Sequence, residues 1–166
     1  MARRCFFSFH YQLDSQRAAQ VRSIGAIDGN PLASDNDWEA VLRGGAPAIQ
    51  RWIDTQLIGR SCTIVLVGQG TAGRPWIEYE IKASWNKGMG VVGVRIHGLK
   101  NLLGQTSSPG PNPFAFASES STNANLASIV KCYDPPGWDS KQRYGWIAQY
   151  LSAMVEEAIE IRRKYP

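Results

Sequence analysis

Three short apolar runs constrain the fold of this chain more than any other feature of its sequence. They are Arg4–Phe9, Ser61–Val67 and Gly90–Ile96, and the first two lead into stretches with helical spacing. Continuous apolar runs of this length are typical of strands buried on both faces, as in a parallel sheet. The pattern therefore predicts an α/β protein in which helices connect parallel strands.

The segments between these runs supply the helices and two weaker strand candidates. On apolar spacing and end signals we predict four main helices, at Ser15–Ile24 after an N-cap at Asp14, Ala48–Leu57, Pro75 to about Lys87, and about Asp139 to Lys164. Weaker candidates are a short helix at Trp38–Leu42, a short strand at Gly25–Asp28 and a last strand at Leu126–Tyr133.

The order of these elements predicts a right-handed, doubly wound, mainly parallel five-stranded sheet with helices on both faces. In the flavodoxin-like strand order, the first and third strands meet at the switch point, where ligands bind at the carboxyl ends of the strands. The expected crevice therefore lies beside Phe9, His10 and Tyr11 and beside the end of the strand at Val67.

The size and composition fit one domain covering residues 1–166, with a long loop insertion at about 98–125. The Pro-rich and Ser-rich part of that loop is long for a connection inside a domain, so we expect it to be functional or mobile, such as a lid. The net charge of +4 is only mildly basic, and no basic stripe points to nucleic acid.

The three cysteines and the hydropathy point to a cytoplasmic location. Cys5, Cys62 and Cys132 form no CxxC pair, so reduced thiols are expected rather than a disulfide framework or a zinc site. No apolar stretch reaches the ~20 residues of a membrane helix, and the apolar run after Arg3-Arg4 is too short for a signal sequence.

Glu80 is the sharpest candidate for chemistry. It lies four residues after Trp76, so both side chains share one helix face beside the predicted crevice. A carboxylate next to an indole suits a flat, cationic ligand, but exposed helix glutamates are also common, and both readings stay open. Glu78 is interpreted as a favourable charge near the helix N-terminus.

Several other residues near the crevice have a structural and a functional interpretation. His10 is either a backbone-satisfied loop histidine or a donor to a phosphate or hydroxyl, and Phe9 and Tyr11 are either core residues or walls of the site. Asp37 and Trp38 are either a cap and a packed ring or part of a loop over the crevice.

The glycine-rich loop from Gly68 to Gly73 has the GxGxxG spacing, but no acidic residue follows where a dinucleotide-binding Rossmann unit needs one. The loop alone therefore predicts little about function.

Several segments together resemble the TIR-like proteins of bacterial Thoeris anti-phage systems, the ThsB family. They are Arg4–Tyr11, Asp37-Trp38-Glu39, Trp76–Ile81, Gly93–His97 and Gly110–Phe114. Trp76–Ile81 is also similar to the Trp-Cys-x-x-Glu-Leu helix of classical TIR domains, whose glutamate cleaves NAD. Ile77 stands where those domains have the cysteine.

The resemblance implies a flavodoxin-like fold and an enzyme that cleaves NAD, releases nicotinamide and makes a cyclic ADP-ribose-type signal. That signal would activate a ThsA effector, with NAD as substrate, no separate cofactor and no metal. Glu80 is then the implied catalytic residue, and Phe9, His10, Tyr11, Asp37, Trp38 and Trp76 are the expected substrate-binding residues, with Trp76 favoured as a packing and positioning residue. TIR-type enzymes generally act as assemblies, so self-assembly on activation is expected.

Two other functions remain open at this point. A TIR-like adaptor would work by self-association and would not need Glu80 beside Trp76. A metal-dependent nuclease would need several carboxylates, such as Asp14, Asp35 and Asp37, to converge on Glu80, and nothing in their spacing requires it.

Overall fold

The computed structural model describes residues 2–31, 40–117 and 125–165, and its centre is a parallel five-stranded sheet. The strands are β1 (Arg3–Ser8), β2 (Ile27–Gly29), β3 (Cys62–Val67), β4 (Gly90–Arg95) and β5 (Cys132–Tyr133). Their order across the sheet is β2-β1-β3-β4-β5, with every neighbouring pair parallel. The prediction of a doubly wound, flavodoxin-like α/β fold is confirmed.

Four main helices cover the two faces of this sheet. They are α1 (Tyr11–Arg22), α2 (Gly45–Leu57), α3 (Pro75–Asn86) and α4 (Ser140–Arg163). Apolar residues of α1 and α4 pack with Phe7, Ile64 and Val94 on one face, whereas α2 and α3 pack with Phe6 and Val65 on the other. The alternation of side chains along each strand explains this division.

In the described part of the chain, the short β2 strand leaves the end of the β1 edge without a strand partner. Pairing between the two strands ends where Cys5 meets Gly29, although β1 continues to Ser8. Beyond that point the amide oxygen of Asn30 accepts the Phe7 N–H at 2.9 Å and takes the place of a strand partner. The unpaired edge creates room for a cavity at the carboxyl end of the sheet.

Two predicted boundaries were wrong. Asp14 does not cap the first helix: His10 is the N-cap, and its Nδ1 accepts the Leu13 N–H at 3.3 Å. The predicted strand Leu126–Tyr133 begins instead with a 3-10 turn, and only Cys132 and Tyr133 pair with β4. A buried apolar run does not distinguish such a turn from a strand.

The predicted insertion at about 98–125 is partly ordered into the core. Pro113–Phe116 forms a 3-10 turn, and the Phe114 ring is completely buried. It lies over Gly93 of β4, where a Cβ would come within 2.7 Å of the ring. Within the described ranges, no helix is both long and apolar enough to cross a membrane.

Candidate functional site

A cavity of about 150 Å³ lies at the uncovered edge of β1. Its walls are mainly aromatic and apolar, with one carboxylate and one guanidinium among the lining residues. They are Phe6, Phe7, Phe9, Tyr11, Arg22, Asn30, Pro31, Trp52, Trp76, Ile77 and Glu80. The carboxyl end of β1 therefore forms a pocket, as the strand order predicts.

Glu80 faces this cavity from helix α3. Pro75 starts the helix, and Ile77 and Ile81 bury its inner side against the sheet, so the helix is held in a fixed orientation. The hydroxyl of Ser8 at the end of β1 donates a hydrogen bond to a Glu80 carboxylate oxygen. Burial raises the pKa of Glu80 to about 7, and the Ser8 hydrogen bond lowers it in part.

Trp76 both packs and lines the cavity. Its ring meets Tyr79 edge-on at 6.0 Å and joins the apolar cluster of Phe6, Ile49 and Ile53. The Tyr79 hydroxyl in turn donates to the Asp54 carboxylate of α2, at 3.0 and 3.1 Å to its two oxygens. These contacts position the α3 turn that carries Glu80.

Phe9 and Tyr11 form another wall. Their rings are stacked at 6.3 Å between centroids, and both residues line the cavity. Phe9 is half-buried and also packs against the main core, so its two predicted roles coincide.

His10 lies outside this wall. Its ring caps α1, it is not among the residues lining the cavity, and its buried Nε2 has no hydrogen-bond partner among the described residues. His10 is therefore a helix cap, and its role as a donor to substrate stays a prediction. Asp37 and Trp38, like Asp35, lie outside the described residues. Glu78 occupies the first turn of α3, as predicted.

Arg22, Asn30 and Trp52 line the cavity, although the sequence alone did not single them out. The Arg22 side chain reaches the site from the last turn of α1 and donates hydrogen bonds to the backbone and side-chain oxygens of Asn30. The sequence Gly29-Asn30-Pro31 is typical of an ordinary turn, and Trp52 is one of several apolar residues on a helix. Neither pattern predicts that these residues line a cavity.

The glycine loop has a packing role. A Cβ at Gly68 would lie 2.0 Å from the Asp14 carboxylate, and one at Gly70 would lie 2.8 Å from Leu13. The hydroxyl of Thr71 accepts the Gly68 N–H at 2.8 Å. These glycines therefore let the loop pack closely on α1, which accounts for their spacing without a bound phosphate.

The described part of the long loop packs beside the glycine loop, away from Glu80. Gly110 lies against the Gly68 and Gln69 carbonyls, and its own carbonyl accepts a hydrogen bond from Arg95 at 2.6 Å. None of residues 98–117 lines the Glu80 cavity. The expectation that this loop forms a lid is not met by these residues.

Within the described ranges, no group of three or more His, Cys, Asp or Glu residues is arranged to hold a metal ion. Asp14 is paired with Arg17 at 3.3 Å, and both side chains are almost fully buried. Its carboxylate is therefore committed to an internal ion pair rather than to a joint site with Glu80.

Comparison with known proteins identifies the family of this fold and cavity. The family model described as "Thoeris protein ThsB, TIR-like domain" matches residues 6–101, which are more than half of the chain. This range includes all the residues that line the cavity. A Bacillus cereus (strain MSX-D12) protein named "Putative cyclic ADP-D-ribose synthase ThsB1" is 37% identical over 121 residues. The match covers 70% of this chain and 63% of that relative. The chain belongs to the TIR-like ThsB family of Thoeris proteins.

Proposed function

We propose that this chain cleaves NAD at its nicotinamide–ribose bond, releases nicotinamide and forms a cyclic ADP-ribose-type product. The observation that carries the proposal is a single carboxylate, Glu80, in an aromatic cavity, bonded by Ser8 and without an ion-pair partner among the described residues. The name of the Bacillus cereus relative supports the reaction class.

The cavity suits the substrate before reaction. The nicotinamide ring of NAD is flat and positively charged, and aromatic faces attract such cations. Trp76, Phe9 and Tyr11 offer these faces. A cation in the cavity also favours the ionised form of Glu80, whose pKa of about 7 in the empty site then falls. Substrate binding thus converts Glu80 to the ionised form that can stabilise positive charge.

Glu80 stabilises the charge that moves during cleavage. The bond between the ribose anomeric carbon and the nicotinamide nitrogen breaks, and its electron pair stays on that nitrogen. Nicotinamide leaves as a neutral molecule and needs no general acid. The positive charge passes to the ribose as an oxocarbenium-like centre, which a nearby carboxylate stabilises.

The product depends on the group that attacks this centre. In cyclisation, a nucleophile of the adenosine half forms a new bond to the anomeric carbon, and a hydroxyl nucleophile gives its proton to Glu80. In hydrolysis, water attacks and loses its proton in the same way. A carboxylate with a pKa near neutrality is suited to accept this proton. Cyclisation prevails where the apolar walls keep water away from the centre.

The biological setting is also part of the proposal. Thoeris systems act against phage, and the proposed product would activate a ThsA effector in the cytoplasm. Self-assembly would regulate the reaction. NAD is here a substrate and not a bound cofactor.

The test is chromatography of the products formed from NAD by the wild type and by Glu80→Gln. It should be run over a range of protein concentrations, with and without phage components. The wild type should release nicotinamide with a cyclic product, and Glu80→Gln should release it at least about 10³-fold more slowly while keeping the wild-type circular dichroism spectrum. A non-catalytic adaptor would release no nicotinamide under any of these conditions. Activity lost on adding a chelator would favour a metal-dependent nuclease-like domain.

A further inference from the structure

Arg22 is the cation of the Glu80 cavity, and it has no acidic partner among the described residues. Its guanidinium donates to Asn30, and its central carbon lies 5.3 Å from the centroid of the Phe7 ring. No described carboxylate lies within ion-pair distance of it. A half-buried guanidinium without a carboxylate is costly, because burial removes water that the charge would otherwise hold.

A second arginine increases this cost. Arg60 bonds the Cys5 carbonyl at 3.0 Å, and burial together with the charge of Arg60 lowers the pKa of Arg22. The nearby carboxylate of Asp28 lies 3.8 Å from Arg4. This edge of the sheet therefore concentrates positive charge that an anion would offset.

The strand alternation separates Arg22 from Glu80. Ser8, which bonds Glu80, points to the same face of the sheet as Phe6, whereas Phe7, which Arg22 covers, points to the opposite face. Both charged groups nevertheless line one cavity, because β2 ends early and leaves the β1 edge open. The cavity thus curves around this edge from a carboxylate to a guanidinium.

We propose that Arg22 binds the diphosphate of the substrate while Glu80 faces its cationic nicotinamide end. This inference rests on the proposed function and adds the recognition of the anionic part of the dinucleotide. The two charges of the cavity, which have no ion-pair partner among the described residues, then match the two charged parts of one ligand.

The chemistry of the guanidinium fits a phosphate better than a point charge would. It carries five N–H donors in a planar fork, and the bonds to Asn30 leave donors for phosphate oxygens. Asn30 is buried and also bonds the Phe7 backbone, so it holds the guanidinium in place before the ligand arrives. Arg22 therefore selects a dinucleotide over a nucleoside.

The first test measures binding and does not depend on turnover. ADP-ribose carries the diphosphate but no nicotinamide, so calorimetric titration of the full chain measures binding without the cationic ring, and the comparison of variants isolates the contribution of Arg22. Arg22→Gln should weaken ADP-ribose about 10- to 100-fold, as expected for loss of a charge-assisted phosphate contact. Arg22→Lys should weaken it less, because the charge remains. Arg51→Gln, an exposed arginine on α2 outside the cavity, is the matched control and should bind like the wild type.

The second test compares two substrates of the cleavage reaction. Arg22→Gln should raise KM for NAD by a similar factor with little change in kcat. The kcat/KM for nicotinamide riboside, which has no phosphate, should stay within about twofold of the wild type. Thermal melts monitored by circular dichroism confirm that each variant is folded.

Three outcomes overturn the assignment of Arg22. They are unchanged ADP-ribose binding by Arg22→Gln, an equal loss on NAD and nicotinamide riboside, or Arg22→Lys binding no better than Arg22→Gln. The second of these would mark Arg22 as a structural partner of Asn30. If the wild type cleaves neither substrate, the proposed function fails, and the ADP-ribose titrations still decide the role of Arg22.

Discussion

The carboxylates of Asp14, which is buried, and Glu80, which is half-buried, contrast sharply. Both are near the carboxyl end of β1, and burial raises the pKa of each. Asp14 has a resident cation, because Arg17 lies 3.3 Å away and its guanidinium also bonds the Leu99 and Gln105 carbonyls. Among the described residues, only the Ser8 hydroxyl bonds the Glu80 carboxylate, which opens onto an aromatic cavity.

We interpret this difference as one between a structural charge and a charge that serves the proposed function. An internal ion pair holds elements together, and here Asp14 and Arg17 join α1 to the glycine loop and the segment after β4. A carboxylate left without a cation beside a cavity costs stability and gains its partner from a ligand. Arg22 is the corresponding positive charge: it lines the cavity without an ion-pair partner among the described residues.

The largest effect should come from removing the Glu80 charge. Glu80→Gln keeps the shape of the side chain but stabilises no positive ribose, so nicotinamide release should fall by about 10³-fold or more, a loss of roughly 4 kcal/mol of transition-state stabilisation. Glu78→Gln, on the same helix but outside the cavity lining, is the matched control. Turnover retained by Glu80→Gln would remove Glu80 from the chemistry.

Breaking the internal pair should instead damage folding. Arg17→Met leaves Asp14 buried without its cation and removes the bonds to the Leu99 and Gln105 carbonyls, so the free energy of unfolding should drop by about 3–4 kcal/mol. Urea denaturation followed by circular dichroism measures this change. Arg163→Met breaks an exposed pair with Glu160 and should cost less than about 1 kcal/mol. Equal decreases in the free energy of unfolding for the two variants would show that the buried Asp14–Arg17 pair stabilises the fold no more than an exposed pair does.

The unpaired carboxylate should make stability depend on pH. The pKa of Glu80 rises from 4.5 to about 7 on folding, so the folded state binds a proton more tightly than the unfolded state. The contribution of the protonated Glu80 to the free energy of unfolding is fully present below pH 4.5 and is lost as the pH rises through 7. The loss is at most about 3 kcal/mol. Because the side chain opens onto the cavity, about 1–2 kcal/mol is expected. Urea titrations at pH 5 and pH 8 should show this loss in the wild type and not in Glu80→Gln.

The smallest effect should come from Ser8. Its hydroxyl favours the ionised form of Glu80, so Ser8→Ala should raise the pKa of Glu80 further. The acidic limb of kcat/KM for NAD should then move to higher pH, with about a three- to tenfold loss near pH 7 and recovery at higher pH. Ser8→Thr, which keeps the hydroxyl, is the comparison variant. An unchanged limb in Ser8→Ala would mean that this hydrogen bond does not tune Glu80.

Local patterns predicted a large part of this molecule. The apolar runs of β1, β3 and β4 and the helical spacing of α2, α3 and α4 required no tertiary information, because burial of a strand or helix face leaves a repeat in the sequence. The same patterns placed Glu80 on a helix beside the end of β1 and brought Phe9, Tyr11 and Trp76 to its neighbourhood.

Other features depended on contacts between distant residues. Whether His10 caps a helix or lines a cavity is decided by where α1 begins, and the length of the last strand is decided by its pairing with β4. Neither leaves a repeat in the sequence. The membership of Asn30, Arg22 and Trp52 in the site depends on the early end of β2, which opens the β1 edge.

The sequence by itself therefore determined the α/β class, the helix that carries Glu80 and the family likeness. Tertiary structure decided which charges are buried and which of them share a cavity. Asp14 and Arg17 are three residues apart on one helix and meet locally, but their burial comes from the glycine loop and the segment after β4. Glu80 and Arg22 come together in one cavity because of strand order and strand length. Pairing and burial set the energy of a charge, and neither is a property of sequence spacing.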